Sequence, residues 1–240
     1  MVNQEQFIRQ AEFYDPHTYD PHVTIVGAGG IGSPLALQLS MLGVRRITVI
    51  DKDKVERHNL NTTVYTPNHV GQPKVMALKD VLRFHGYGAK YIGLSKMIVH
   101  GDQIPITDIL MSAVDSMHAR DILIQAAIDK KIPLFIDGRI GGEYLRVYTI
   151  QPHVTTDRKF YTSTLVNDNI MAPLPCTARS VVDIGGMTAS LMTRAVRMAV
   201  ANKLYHREVL LAVTNLSLSV TDQRPITRPR TPTPRSIRRS

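Results

Sequence analysis

Asp51, Asp53, Asn59, Lys74 and the adjacent Asp115 and Ser116 are the residues of this chain whose types could act together on one ligand. Carboxylates hold a hard divalent cation, while a lysine and helix amides neutralise phosphate oxygens. The set therefore suits a nucleoside triphosphate with magnesium better than a dinucleotide. The competing chemistry, hydride transfer from a nicotinamide cofactor, needs a proton relay, and residues 151–180 offer only Tyr161, with no Tyr-x-x-x-Lys or His pair. Cys176 is the one cysteine and the candidate nucleophile. It stands in Cys176-Thr-Ala-Arg-Ser, ahead of an expected helix and close to Arg179, and both a helix N-terminus and a cation favour thiolate. The alternative is a small buried residue packing the helix start.

The element that must position a phosphate is Val23-Thr-Ile-Val-Gly27-Ala-Gly29-Gly30-Ile-Gly32-Ser33, a β-branched run that empties into four glycines and then a helical pattern. Glycine serves there in three ways: a sharp turn, close approach of backbone to phosphate, and tight packing of helix on strand. The free amides of the helix then face the anion. Ile47-Thr-Val-Ile50 forms a second buried strand that ends at Asp51, nineteen residues past Gly32, where a carboxylate can bond a ribose hydroxyl. Capping the following loop is the other use for Asp51. Lys74 opens a helix after Pro73, and a cation there is unfavourable unless an anion sits beside it. Asp115 either holds magnesium or caps the next helix, a task Ser116 could also perform.

Further along, strands alternate with helices. Residues 90–94, 108–115, 133–137 and 143–150 read as strands, 73–84 and 117–130 as helices. Residues 151–180 lack strong periodicity and read as a long functional loop. A helix over 181–204 and a final strand over 210–220 complete the pattern. The expected fold is α/β: a Rossmann-like, mostly parallel sheet with helices on both faces, extended by C-terminal strands.

A 240-residue chain that is 43% hydrophobic can bury one sizeable core. One domain over residues 1–222 is expected, followed by a disordered basic tail over 223–240. That tail holds six arginines and no acid, so it accounts for most of the net charge of +9. Its proline, threonine and serine content cannot form a core. Nucleic-acid binding is therefore not expected beyond weak contact through the tail. A single cysteine excludes a disulfide framework and a four-cysteine zinc site. Met1-Val-Asn-Gln-Glu has no signal-peptide core, and no run reaches the roughly 20 apolar residues of a membrane span, so the expected location is cytoplasmic.

Five motifs then carry a resemblance. Gly27-Ala-Gly-Gly-Ile-Gly32, Asp51-Lys-Asp53, Asn59-Leu-Asn61, Val70-Gly-Gln-Pro-Lys74 and Val114-Asp-Ser-Met-His-Ala-Arg120, in this order and spacing, resemble the ThiF/MoeB adenylyltransferases and ubiquitin-activating enzymes. Arg9-Gln10 is similar to the superfamily's N-terminal Arg-Gln. The resemblance covers residues 9–204. It implies an enzyme that uses ATP and magnesium to adenylate the C-terminal carboxylate of a ubiquitin-like or sulfur-carrier protein, with a conjugating enzyme as a further partner. By the same resemblance Gly30 and its neighbours contact the nucleotide, Asp51 the ribose, and Asn59 and Lys74 the phosphates. Asp115 holds magnesium, and Arg9 is an arginine finger supplied across the interface of a dimer, expected to be a homodimer with a heterodimer as the alternative, or otherwise a surface charge. Cys176 corresponds to a loop cysteine that forms a thioester in some members. Where many members show Asn-Leu-x-Arg-Gln, this chain has Asn59-Leu-Asn61-Thr62-Thr63, so the arginine that the resemblance places on the triphosphate is absent, and Arg57 or Arg9 is left to supply its charge. A catalytically silent, partner-binding subunit is the reading that Thr62 favours.

Overall fold

The alternating pattern resolves, in a computed structural model that describes residues 4–165, 181–201, 203–221 and 223–225, into one eight-stranded sheet beside a small two-stranded one. The first five strands are β1 (His22–Val26), β2 (Arg46–Ile50), β3 (Lys90–Leu94), β4 (Ile109–Ser112) and β5 (Leu134–Gly141). They lie parallel in the order β3-β2-β1-β4-β5. β6 (Tyr144–Ile150), β8 (Glu208–Ala212) and β9 (Ser217–Val220) then continue the sheet antiparallel beyond β5. β7 (Tyr205–His206) pairs with β10 (Gln223–Arg224).

Because side chains alternate along a strand, the central strands feed two cores. Ile109, Met111, Leu134 and Ile136 pack on one face with α1 (Gly32–Leu42), α2 (Lys74–His85) and α5 (Val182–Val200). Leu110 and Phe135 point the other way, to α3 (Met117–Asp129) and α4 (Thr155–Ser163). This burial on both faces is why β1, β2 and β4 read as continuous apolar runs. Gly43 and Gly86 end α1 and α2 in the left-handed conformation, returning their amides to the last carbonyls.

Three expectations need revision. Residues 151–180 are not a loop throughout, since Thr155–Ser163 form α4. Asp157 and Tyr161, one turn apart, are both fully buried on its inner face. The single strand expected over 210–220 is a hairpin, β8 and β9, whose turn places Leu216 at φ 53. β5 runs four residues past Asp137 and turns into β6 through Gly142 at φ 61.

The chain also continues in register past Asp222. Gln223 and Arg224 pair with β7, and the Arg224 guanidinium meets buried Asp157 at 3.0 Å. Asp157 also accepts from the Gln151 amide at 3.1 Å, and the Gln151 side chain donates to Tyr205 Oη at 2.7 Å and to the Pro225 carbonyl at 3.1 Å. Burial, despite the Gln151 bond, pushes the Tyr205 phenol up to about 12. Residues 226–240, most of the expected tail, lie outside the described residues. No helix among the described residues is long and apolar enough to cross a membrane.

Candidate functional site

A cleft of about 1970 Å³ opens at the C-terminal ends of the parallel strands, between β1 and β4 where the strand order reverses. Ligands of open α/β sheets bind at such a switch point. The glycine turn forms one wall, and its glycines divide the three tasks. Gly27 has φ 97, and a Cβ there would lie 2.4 Å from the Ala113 carbonyl oxygen; its amide bonds the Ile50 carbonyl at 2.9 Å. Gly32 does not face the cleft: a Cβ there would lie 1.9 Å from the Gly27 oxygen, so it serves the packing of α1 on the turn. Gly29 is the open position, with nothing within 4 Å of where a Cβ would stand and its face on the cleft, and Gly30 lines the cleft beside it. α1 starts with no side-chain cap, but the Ser33 amide donates to the Gly29 carbonyl at 3.0 Å and Pro34 has no N–H, so this start offers an anion at most the Gly32 amide.

Asp51 braces this turn. One carboxylate oxygen accepts from the Ala28 amide at 2.6 Å and the other from the Asp53 amide at 2.7 Å. The loop-capping use is thus observed, and each oxygen keeps a lone pair for a further donor. Tyr65, invisible to motif reasoning, closes the turn from the far side by donating to the Ala28 carbonyl at 2.7 Å. Burial holds its phenol well above its ordinary pKa, with Asp51 adding to the effect, so it remains a donor.

Between Asp53 and Tyr65 the chain makes one turn of 3-10 helix, Arg57–Asn59. Asn59 organises it: its Oδ1 accepts from the Glu56 amide at 2.9 Å, and its carbonyl accepts from the hydroxyls of Thr62 at 3.3 Å and Thr63 at 2.7 Å. Lys74, only 9% exposed, starts α2 with its amide on the Asp53 carbonyl at 2.8 Å and its Nζ on the Asp53 carboxylate at 3.1 Å. Asp53 is the anion that a cation at this helix start requires.

On the opposite wall β4 ends at Ser112, three residues before the expected limit, so Asp115 and Ser116 stand in the loop leading to α3. Ser116 is the cap of α3, accepting from the Ala119 amide at 3.2 Å. Asp115 is exposed on the cleft. The cleft thereby collects Gly27, Gly29, Gly30, Asp51, Asp53 and Asn59 with Lys74, Asp115 and Ser116. Arg9 is elsewhere, exposed on a 3-10 helix, Gln4–Gln10, whose Gln10 donates to the Leu42 carbonyl at 2.6 Å. That contact is at the far end of α1, which at about 1.5 Å per residue is roughly 16 Å from the glycine turn. Cys176 lies outside the described residues.

The floor of the cleft holds a cluster of which the motifs contained only Arg120. Asp137, fully buried, accepts from Arg120 Nε at 3.3 Å, Arg139 Nε at 2.6 Å and the Tyr161 hydroxyl at 2.9 Å. Arg139 also donates to the carbonyl and hydroxyl of Thr164 at 3.1 and 3.0 Å and lies 4.4 Å from the centre of the Tyr148 ring. Burial works against charge on Arg139, but Asp137 and then Tyr161 outweigh it, and its pKa is raised. Burial pushes the Tyr161 phenol well up, with Asp137 adding to it. One carboxylate between two guanidiniums leaves an excess positive charge beneath the cleft. The readable signal was Asp137-Gly-Arg139: opposite charges two apart on one face of a buried strand must pair.

Comparison with known proteins decides the family. The ThiF family profile matches residues 17–234. The chain belongs to the ThiF family. Among curated ThiF-like relatives, the adenylyltransferase and sulfurtransferase MOCS3-1 of Zea mays is 31% identical over 131 residues, covering 52% of this chain and 28% of that protein. The ubiquitin-like modifier-activating enzyme 5 of Drosophila grimshawi is 32% identical over 135 residues, covering 50% and 34%. The aligned part is thus about a third or less of each relative. Among solved structures, E. coli MccB with AMPCPP and MccA has a TM-score of 0.70 at 16% identity, covering 95% of this chain and 73% of that one. PaaA gives 0.70 at 20% identity, covering 92% and 73%. These two share the fold.

Proposed function

We propose that this chain binds ATP with magnesium in the cleft and adenylates the C-terminal carboxylate of a ubiquitin-like or sulfur-carrier protein. The observation that carries the reading is the convergence of Gly29, Asp51, Asn59, Lys74 and Asp115 on one cleft at the switch point of the sheet. The names of the curated relatives support it, as does the solution of MccB with AMPCPP and MccA.

The residues present fit a nucleoside triphosphate: an open glycine, an uncapped helix start and two nitrogen donors, Asn59 and Lys74. They also fit magnesium, which takes one or two carboxylates and completes its shell with phosphate oxygens and water. Asp115 would hold it, and the ion would offset charge on the phosphates. A carboxylate oxygen of the carrier attacks the α-phosphorus. The bond from that phosphorus to the oxygen bridging to the β-phosphate breaks, and pyrophosphate leaves with the electron pair. The attacking carboxylate is already ionised at neutral pH, so no general base is needed and positioning with charge neutralisation supplies the acceleration. Asp51 orients the ribose, and the backbone of the glycine turn, Asn59 and Lys74 steady the phosphates. Arg9 serves the site of a second subunit in a homodimer. The thiolate of Cys176 then attacks the acyl carbon and displaces AMP, leaving a thioester for a conjugating enzyme.

Titration calorimetry of ATP with magnesium against NAD and NADH, on wild type and Asp115→Ala, tests the reading. Binding selective for ATP with magnesium and weakened by the substitution is expected. Preference for NAD or NADH overturns it, and binding of neither favours the silent, partner-binding subunit.

A further inference from the structure

A triphosphate entering this cleft brings about four negative charges and its magnesium offsets two, so protein cations must meet the rest. Most of the cations lining the cleft already have a partner within the protein, though not all of those partners carry charge. Lys74 is matched by Asp53 at 3.1 Å and contributes no net charge with it. Arg120 and Arg139 share buried Asp137 and are themselves nearly buried, so their one excess charge acts from beneath the cleft rather than by contact. Arg146 faces Glu208 at 3.6 Å, and Lys96 donates to the Gln103 carbonyl at 3.1 Å. Among the described residues the side chains of Lys52 and Arg57 alone, of those lining the cleft as lysine or arginine, have no hydrogen-bond or ion-pair partner. Both have engaged acidic neighbours: Asp51 and Asp53 beside Lys52 are held by amides and by Lys74, and Glu56 beside Arg57 is met by His58 at 3.4 Å; the guanidinium is the one able to take two phosphate oxygens.

The backbone around Arg57 is held at both ends by the nucleotide-facing elements. Upstream, Lys54 bridges Pro73 and the Val55 amide bonds the Gln72 carbonyl at 2.8 Å, tying the segment to the start of α2. Downstream, Tyr65 bonds the carbonyl of Ala28 within the glycine turn. The 3-10 turn is therefore suspended between Lys74 and the glycines, and it is braced by Asn59, Thr62 and Thr63 rather than by Arg57. Thr62, which also lines the cleft, spends its hydroxyl on the Asn59 carbonyl and offers no charge.

The geometry points to Arg57 as the residue that neutralises the β- and γ-phosphates of the bound nucleotide. It is a binding residue specific for the triphosphate end, and its guanidinium can take two phosphate oxygens at once. This inference rests on the nucleotide-site reading above, and its test separates the two.

Binding of ATP with magnesium and of AMP is measured by calorimetry on wild type, Arg57→Ala, Lys52→Ala and the double variant Arg57→Ala/Thr62→Arg. Arg57→Ala should weaken ATP by about tenfold or more, the scale of one charge-assisted contact, and leave AMP unchanged, because AMP carries neither outer phosphate. The added arginine at position 62, at the other end of the same turn, should recover part of the ATP affinity. Unaltered ATP binding in Arg57→Ala, an equal loss for ATP and AMP, or a selective loss in Lys52→Ala instead overturns the assignment of Arg57 while leaving the nucleotide site standing. Wild type that binds neither ligand overturns both.

Discussion

At the scale of single residues, the four glycines of the turn make separable demands. Gly27→Ala meets a backbone oxygen at 2.4 Å in a left-handed conformation and Gly32→Ala one at 1.9 Å, so each should lower stability by more than about 2 kcal/mol in denaturant unfolding. Gly29→Ala meets nothing. It should unfold at the wild-type midpoint yet bind ATP poorly, because its methyl group occupies the space a phosphate needs; unchanged ATP affinity would remove Gly29 from the site. Lys74→Ala and Asp115→Ala should each lower carrier-dependent ATP–pyrophosphate exchange by about 100-fold, the usual scale for losing one aligned polar contact, a donor or a metal ligand, in a closed site. Cys176→Ala should keep exchange and lose the thiol-labile adduct with the carrier; an adduct that persists removes the cysteine from the pathway. Most of these positions were legible because their signals are local: a glycine at a strand end, an acid nineteen residues on, a lysine after a proline. Arg57 was legible only as one of two candidates, with Arg9, for the charge missing at Thr62, and its place on the cleft without a side-chain partner is what separates them.

Among the elements, the parallel half was readable from its apolar runs, and the wing beyond β5 much less. α4 is built on Thr155-Thr-Asp-Arg-Lys-Phe-Tyr-Thr-Ser163, which has few apolar residues and several threonines of low helix propensity. It forms because Tyr161 and Asp157 are captured by partners far away in sequence, Asp137 and Arg224. The β8–β9 turn escaped because Leu216 occupies the left-handed position where glycine or asparagine is the usual sign. Asp137→Asn keeps the shape of the floor but leaves Arg120 and Arg139 without a counter-charge. It should lower stability by about 3–5 kcal/mol, with α4 showing the largest rise in amide exchange; uniform loosening would mean that the cluster does not specifically hold α4.

Over the whole molecule, Arg9 and the cleft stand at opposite ends of α1, so the role proposed for Arg9 requires a second chain. A mixture of Arg9→Ala and Lys74→Ala chains, each inactive alone, should regain about a quarter of wild-type exchange, since half of randomly assorted dimers are mixed and each carries one intact site. No recovery would place Arg9 outside catalysis. The knot of Gln151, Asp157, Tyr205 and Arg224 has a consequence in time. Synthesis delivers Asp157 sixty-seven residues before its guanidinium partner, a wait of several seconds at roughly 5–20 residues per second. Until then α4 would have to bury an uncompensated carboxylate, so the nascent chain can assemble its glycine turn and parallel strands while this corner is still open to water. The parallel half that carries the cleft is thus free to mature on the ribosome first, and the corner beside it closes only once Arg224 has been made.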